Sequence, residues 1–147
     1  MVGETWFRDL TKPPLTRGLW FGLRYNTVVD DTKIKIIEDT ISLEELKFIA
    51  HDQFINVIKA VVDVEQEIMA VGGEFHSDIE TLLLETKNSK RDNTWGINLR
   101  LGKTGDEFIE FDSMINLKPL SGNTSRGVED GALRRKIISI VSQIVKR

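Results

Sequence analysis

The sequence predicts an α+β domain built on an antiparallel sheet of about five or six strands, with one helix before it and one C-terminal helix after it. Residues 57–71 and 95–117 alternate apolar and polar side chains on either side of short turns, which is typical of β-hairpins. These strand patterns follow one another instead of alternating with helices, which argues against a doubly wound parallel fold. The chain has 147 residues, of which 40% are hydrophobic, enough for a substantial core.

The first helix has a clear start signal. Ser42 and Glu45 have the spacing of a capping box, in which each residue bonds the backbone of the other. Ile41 and Leu46 have the spacing of the hydrophobic staple that accompanies it. Apolar residues then recur at helical spacing, so we predict a helix over residues 43–55.

Five segments alternate with a period of two and are rich in β-branched or aromatic residues, as strands are. They are residues 33–38, 57–65, 68–71, 95–101 and 109–117.

Residues 75–86 fit two structures. Ser77 and Glu80 repeat the spacing of a capping box, and a run of leucines follows. We predict a turn or short helix near residues 75–80 and a strand over 81–86.

The chain ends in a predicted helix over about residues 130–146, and this end is basic. Residues 32–112 carry nine basic and seventeen acidic side chains, whereas residues 113–147 carry seven basic and two acidic ones. Pairing of the two halves in the fold explains this asymmetry most simply. A basic face for nucleic acid is the alternative, although only residues 134–136 form a cluster.

A change of composition near residue 31 predicts a boundary. Residues 1–31 hold five of the eleven aromatic residues and a Pro-Pro pair, without clean periodicity. We therefore predict an N-terminal aromatic extension over 1–31 and a single α+β domain over 32–147. Aromatic surface is unfavourable in water. The extension is accordingly expected to pack on the domain, or to bind a protein partner or a second copy.

Four stretches resemble an uncharacterised bacterial family of domains of unknown function. They are VVDVEQEIMAVGGEFHSDIETLLLE, WGINL, IEFDSMINLKP and GNTSRGVED. The resemblance covers residues 33–147 and implies a single domain in the bacterial cytoplasm. It implies no activity, because none is established for the family.

Strong catalytic and cofactor motifs are missing from the sequence. Gly102-Lys103-Thr104 resembles the tail of a phosphate-binding loop, but Ile97 stands where that motif needs glycine. The sequence also has no dinucleotide fingerprint, no nucleophile elbow and no cysteine. We therefore predict no cofactor and no metal.

One candidate catalytic cluster combines a histidine with carboxylates. His76, Asp78 and Glu80 would share one face of an extended chain, and Asp63 and Glu65 share a predicted strand face. Such a set could perform acid–base chemistry or bind a cation. Ion-paired or solvated side chains are the alternative interpretation.

A second candidate site is the loop before the last helix. Asn123, Ser125 and Arg126 lie among small residues that let backbone amides approach an anion, and Arg126 can bind carboxylate or phosphate with two parallel bonds. His76 and Asp112 are predicted as its neighbours. A capped strand-to-helix connection is the alternative.

These observations favour a small cytoplasmic binding or regulatory module that does not catalyse a reaction and does not enter a membrane. A hydrolase or nuclease-like enzyme that uses the histidine and carboxylates is the first alternative. A nucleic-acid binder that uses the basic C-terminal segment is the second.

Overall fold

The computed structural model describes residues 33–51 and 56–147 and contains a five-stranded antiparallel sheet. The strands are β1 (Lys35–Ile37), β3 (Val57–Asp63), β4 (Ile68–Val71), β5 (Thr94–Arg100) and β6 (Ile109–Glu110), in the spatial order β1-β4-β3-β5-β6. A separate parallel pair joins β2 (Ile41–Ser42) to β7 (Val145–Lys146). Three α-helices accompany the strands within the described ranges: α1 (Leu43–His51), α2 (His76–Thr86) and α3 (Gly131–Ile144). The α+β prediction with a C-terminal helix is confirmed.

Side-chain hydrogen bonds to backbone N–H groups mark the start of the first and last helices. The Glu45 backbone N–H donates to Ser42 Oγ at 3.0 Å, which is one of the two bonds of the predicted capping box, and the Glu45 carboxylate pairs with Lys35 instead of forming the other. The Asp130 side chain caps α3 by accepting bonds from the N–H groups of Ala132 and Leu133. Residues 52–55 of the predicted first helix lie outside the described residues.

The sheet separates two apolar clusters because its strands alternate. On one face, α1 and α3 bury Leu46 and Ile137 against the centre of the sheet. On the other face, α2 buries Ile79 and Leu83 against Val61 and its neighbours. The second cluster is the smaller of the two, so a part of that sheet face remains available to polar side chains.

The prediction for residues 75–86 was wrong in its second half, because one continuous helix replaces the turn and strand. α2 begins after Phe75, whose backbone is extended and whose side chain caps nothing. Ser77 is therefore not an N-cap, and the Glu80 carboxylate accepts a bond from Thr94 Oγ1 at 2.5 Å instead of closing a capping box. The spacing of Ile79 and Leu83 is the helical signal that buries them together.

The predicted strand over 109–117 is also shorter than expected, since β6 ends at Glu110. The Ser113 N–H donates to the carbonyl of Arg126 at 3.0 Å, and Ser113 Oγ accepts a bond from the Ile115 N–H. The chain then enters a 3₁₀ turn over Met114–Asn116. The alternation of apolar and polar residues over 111–117 therefore belongs to a loop that folds back on itself and not to a strand.

The predicted boundary near residue 31, together with the extension over 1–31, falls outside the described residues and stays a prediction. In the described part of the chain, no helix is long and apolar enough to cross a membrane.

Truncating the helix residues that face the sheet tests this packing. We expect Leu46→Ala and Ile137→Ala each to lower the free energy of unfolding by about 2–5 kcal/mol, because both side chains are fully buried and leave cavities. Phe48→Ala, on the same helix as Leu46 but 78% exposed, should change it by about 0.5 kcal/mol or less. Denaturant melts measure all three, and equal effects at positions 46 and 48 would contradict the packing.

Candidate functional site

A row of polar side chains crosses the sheet face that carries α2, beyond the part that the helix buries. Lys59 on β3 lies directly opposite Asn98 on β5, and Asn98 lies directly opposite Glu110 on β6. Residues that face each other across antiparallel strands project from the same side of a sheet. The three side chains therefore stand next to one another, with Asn98 in the middle.

Asn98 is buried, yet only half of its carboxamide has partners. Its Nδ2 donates to Glu110 Oε1 at 3.0 Å and to the carbonyl of Asp112 at 3.3 Å. Its Oδ1 is inaccessible to solvent and has no hydrogen-bond partner in the described part of the chain. Rotating the amide would turn Oδ1 toward those two acceptors, so the orientation is fixed. The free oxygen thus points away from β6.

His76, the first residue of α2, places its ring over β5. Its Nε2 lies 2.8 Å from the carbonyl oxygen of Ile97. A carbonyl only accepts, so Nε2 carries the hydrogen and Nδ1 of the neutral ring is an acceptor. Burial lowers the pKa of His76 below its ordinary value, and the positive charges of Lys59 and Arg126 lower it further. The hydrogen bond to the Ile97 carbonyl and the negative charge of Asp112 raise the pKa, but they offset only part of this effect.

Asn116 holds the loop after β6 to the edge of β5. The Gly96 N–H donates to Asn116 Oδ1 at 2.8 Å, and Asn116 Nδ2 donates to the Gly96 carbonyl at 3.0 Å. The same Nδ2 donates to the carbonyl of Arg126 at 2.8 Å. One fully buried side chain therefore fastens both the near and the far part of the loop.

Asn123 fastens the rest of the loop. Its Nδ2 donates to the carbonyls of Asn116 at 2.7 Å, Gly127 at 2.8 Å and Ser125 at 3.2 Å. Its Oδ1 accepts a bond from the Glu129 N–H at 2.9 Å. This side chain is committed to the fold on both of its polar atoms.

Arg126 returns across the loop to the carboxylate of Asp112, with Nε 2.5 Å from Oδ1. Both side chains are about half exposed, so solvent screens the pair. The carbonyl of Asp112 also accepts a bond from Asn98, which places the pair beside the polar row. We use the name Asn98 site for six residues: Lys59, His76, Asn98, Glu110, Asp112 and Arg126.

The carboxylates near the β3–β4 turn have structural partners. Asp63 is buried and accepts bonds from the Glu65 N–H at 2.9 Å, Gln66 Nε2 at 2.8 Å and Ser89 Oγ at 2.7 Å. Glu65 accepts a bond from Asn93 Nδ2 at 2.7 Å. Asp63 thus shapes the turn, and both residues lie at the end of β3 opposite to the Asn98 site.

The remaining predicted acids lie on α2. Glu80 is buried and accepts bonds from Thr94 and from Arg91, whose Nη1 lies 3.1 Å away. Asp78 lies in the first turn of the helix and is partly exposed. Over the described ranges, no three histidine, aspartate or glutamate side chains are arranged to hold a metal ion.

The predicted anion loop already surrounds a carboxylate of its own. Hydrogen bonds from Ser125 and then from Thr124 lower the pKa of the exposed Glu129 carboxyl. The Thr124 N–H and Oγ1 lie 3.2 and 3.3 Å from Glu129 Oε2. Of the residues predicted for this loop, only Arg126 reaches the Asn98 site.

Sequence reasoning placed His76, Asp112 and Arg126 near one another but missed Asn98 and Asn116. Asn98 had a detectable signal, because it is a carboxamide on a strand whose other face is entirely apolar. Asn116 had none, since its role depends on the close approach of its loop to Gly96.

The comparisons with known proteins concern the same part of the chain. A family model described as a protein of unknown function (DUF5674) matches residues 35–144. The chain belongs to this family. The predicted resemblance is thereby confirmed, and every residue of the Asn98 site lies within the DUF5674 match. No curated protein and no solved structure matches the chain.

Gly96 tests the close packing under the site. An added Cβ would lie 2.5 Å from Ser113 Oγ, 2.6 Å from Ser113 Cβ and 3.1 Å from His76 Cδ2. We expect Gly96→Ala to lower the free energy of unfolding by about 1–3 kcal/mol through overpacking. Gly102→Ala is the matched control, because nothing lies within 4 Å of its added Cβ. Denaturant melts compare the two, and a tolerated alanine at position 96 would refute the close contact.

His76 predicts a pH dependence of stability. Its pKa in the fold lies below that of the unfolded chain, so the unfolded chain binds the proton more readily. As the pH falls from 7 toward 5, His76 should therefore destabilise the fold. The wild type should lose more unfolding free energy than His76→Gln over this interval. Parallel pH profiles of the two proteins would show that the ring is not shielded.

Proposed function

We propose that the domain is a non-catalytic binding module for a small polar ligand, and that the Asn98 site is where the ligand binds. The observation that carries the proposal is the buried Asn98 Oδ1 without a partner. Leaving a buried acceptor unpaired costs about 1–3 kcal/mol. A ligand N–H or O–H group would remove this cost on binding.

The surroundings of Asn98 support a site that is shaped in advance. Its amide is oriented by Glu110 and by the carbonyl of Asp112, and the loop that carries Asp112 is fastened by Asn116. Groups held in place before binding lose little freedom when a ligand arrives. This arrangement favours recognition over a merely solvated surface.

Two exposed apolar residues are sequence neighbours of residues that pack over Gly96. Phe75 precedes His76 and is 58% exposed, and Met114 follows Ser113 and is 61% exposed. His76 and Ser113 both lie over Gly96, as their distances to an added Cβ show. Exposed apolar residues in these positions are compatible with a binding surface.

The two alternative functions have less support. For the enzyme alternative, the carboxylates of Asp63, Glu65 and Glu80 form hydrogen bonds that shape turns and join elements. None of these bonds involves His76. For the nucleic-acid alternative, Arg134 of the basic C-terminal segment already has partners in the fold. It donates to the Val128 carbonyl, and its guanidinium carbon lies 4.3 Å from the centre of the Phe111 ring. The family resemblance supports a setting in the bacterial cytoplasm.

Replacing Asn98 by leucine tests the proposed function. The probes are a panel of small amines, carboxylates, amino acids and polyols, added to purified protein while the melting temperature is measured. We expect a subset to stabilise the wild type in a concentration-dependent manner. Asn98→Leu should abolish this response. The melt of the variant without ligand reports its separate effect on stability, because leucine removes the unpaired oxygen and also the two bonds that Nδ2 donates.

Asn93→Leu is the matched control. It also removes an asparagine that donates to a glutamate, at the opposite end of β5, and it should keep the ligand response. The binding proposal is wrong if no probe stabilises the wild type, or if Asn98→Leu retains the full response.

A further inference from the structure

We infer that the ligand of the Asn98 site is a small zwitterion of the amino-acid type, with its ammonium group on the Asn98 side and its carboxylate on Lys59. This inference rests on the proposed function and adds the chemical class of the ligand. It derives from the acceptors that the site leaves unused and from the two opposite charges that flank them.

The acceptors of the site suit a cationic N–H donor. Asn98 Oδ1 has no partner, and His76 Nδ1 is an acceptor because Nε2 donates to Ile97. Glu110 receives one bond from Asn98, which leaves acceptor capacity on its carboxylate. An ammonium group carries three donors and no acceptor, so it matches such a set better than a neutral amide does.

The charges on either side of Asn98 have opposite signs. Lys59 and Glu110 lie in the same cross-strand row, one on each side, and neither forms an ion pair within the described residues. Across an antiparallel sheet, side chains directly opposite each other stand about 5 Å apart at Cβ, and Asn98 keeps the two charged residues apart by two such steps.

A ligand with a single charge leaves one flank without compensation. A simple amine is repelled by Lys59, and a simple carboxylate is repelled by Glu110. Arg126 is engaged by Asp112, so Lys59 is the cation that remains for a carboxylate. A zwitterion satisfies both flanks at once. Because Asn98 Oδ1 is buried, a neighbouring side chain must move before the zwitterion can reach it. Lys59 has the length and flexibility to move in this way.

The experiment compares three zwitterions with their halves. Glycine, β-alanine and γ-aminobutyrate are titrated into the full-length protein, alongside methylamine and acetate. Binding is followed by the melting temperature and by the NMR signal of the Asn98 side-chain amide. We expect at least one zwitterion to bind at least tenfold more tightly than either methylamine or acetate. Lys59→Gln and Glu110→Gln should each weaken that zwitterion at least tenfold.

Lys87→Gln is the matched control for loss of a lysine. Lys87 pairs with Glu38 away from the polar row, so its replacement should leave zwitterion binding unchanged. The zwitterion inference is wrong if methylamine or acetate alone binds as tightly as the zwitterions, or if one of the two charge variants binds them normally. In those cases the binding module stands. If no compound of the wider panel binds, the binding module itself is refuted.

Discussion

The candidate site depends on the pairing of the Asn116 carboxamide with the backbone of Gly96. β6 pairs with β5 at only two positions, so the edge of β5 beyond Asn98 lacks a strand partner. Unpaired backbone groups at a sheet edge are costly when buried. Asn116 supplies one acceptor and one donor, as the peptide of a neighbouring strand would, and also binds the carbonyl of Arg126. Position 96 has to be glycine for this approach, because Ser113 occupies the space of a Cβ.

The elements with strong local signals could be predicted from the sequence. The N-terminal cap at Ser42 depends on four consecutive residues, and the β3–β4 hairpin depends on alternation across one turn, so both are visible without tertiary information. α2 was predicted only in part. Its leucine run fits a helix and a strand equally well, and the packing of Ile79 and Leu83 against Val61 distinguishes the two. That contact joins residues far apart in the sequence, which periodicity does not report.

The site was less predictable than the fold, for the same physical reason. Its residues come from β3, α2, β5, β6 and the loop before α3, and their proximity follows from strand order and from the Asn116 bonds. Asn123 illustrates the difficulty. A loop asparagine among small residues has the composition of an anion site, whereas its amide is consumed by the carbonyls of its own loop. Composition gives the donors that a loop contains, but only the structure shows which of them are already in use.

Asn98 is the residue at which the structure departs from the rule that buried polar groups are paired. Two other residues on the same side of β5 have partners for their polar groups, since Thr94 donates to Glu80 and the Gly96 backbone pairs with Asn116. Asn98 satisfies its nitrogen and leaves its oxygen buried without a partner. Leucine has a similar size and would remove the unpaired oxygen, but it would also remove the two bonds that Nδ2 donates to Glu110 and to the Asp112 carbonyl. Natural sequences tend to break a local rule where a function requires it. The bonds of Nδ2 account for an amide at this position, and we attribute the unpaired oxygen to the proposed ligand, since nothing in the described residues pairs with it.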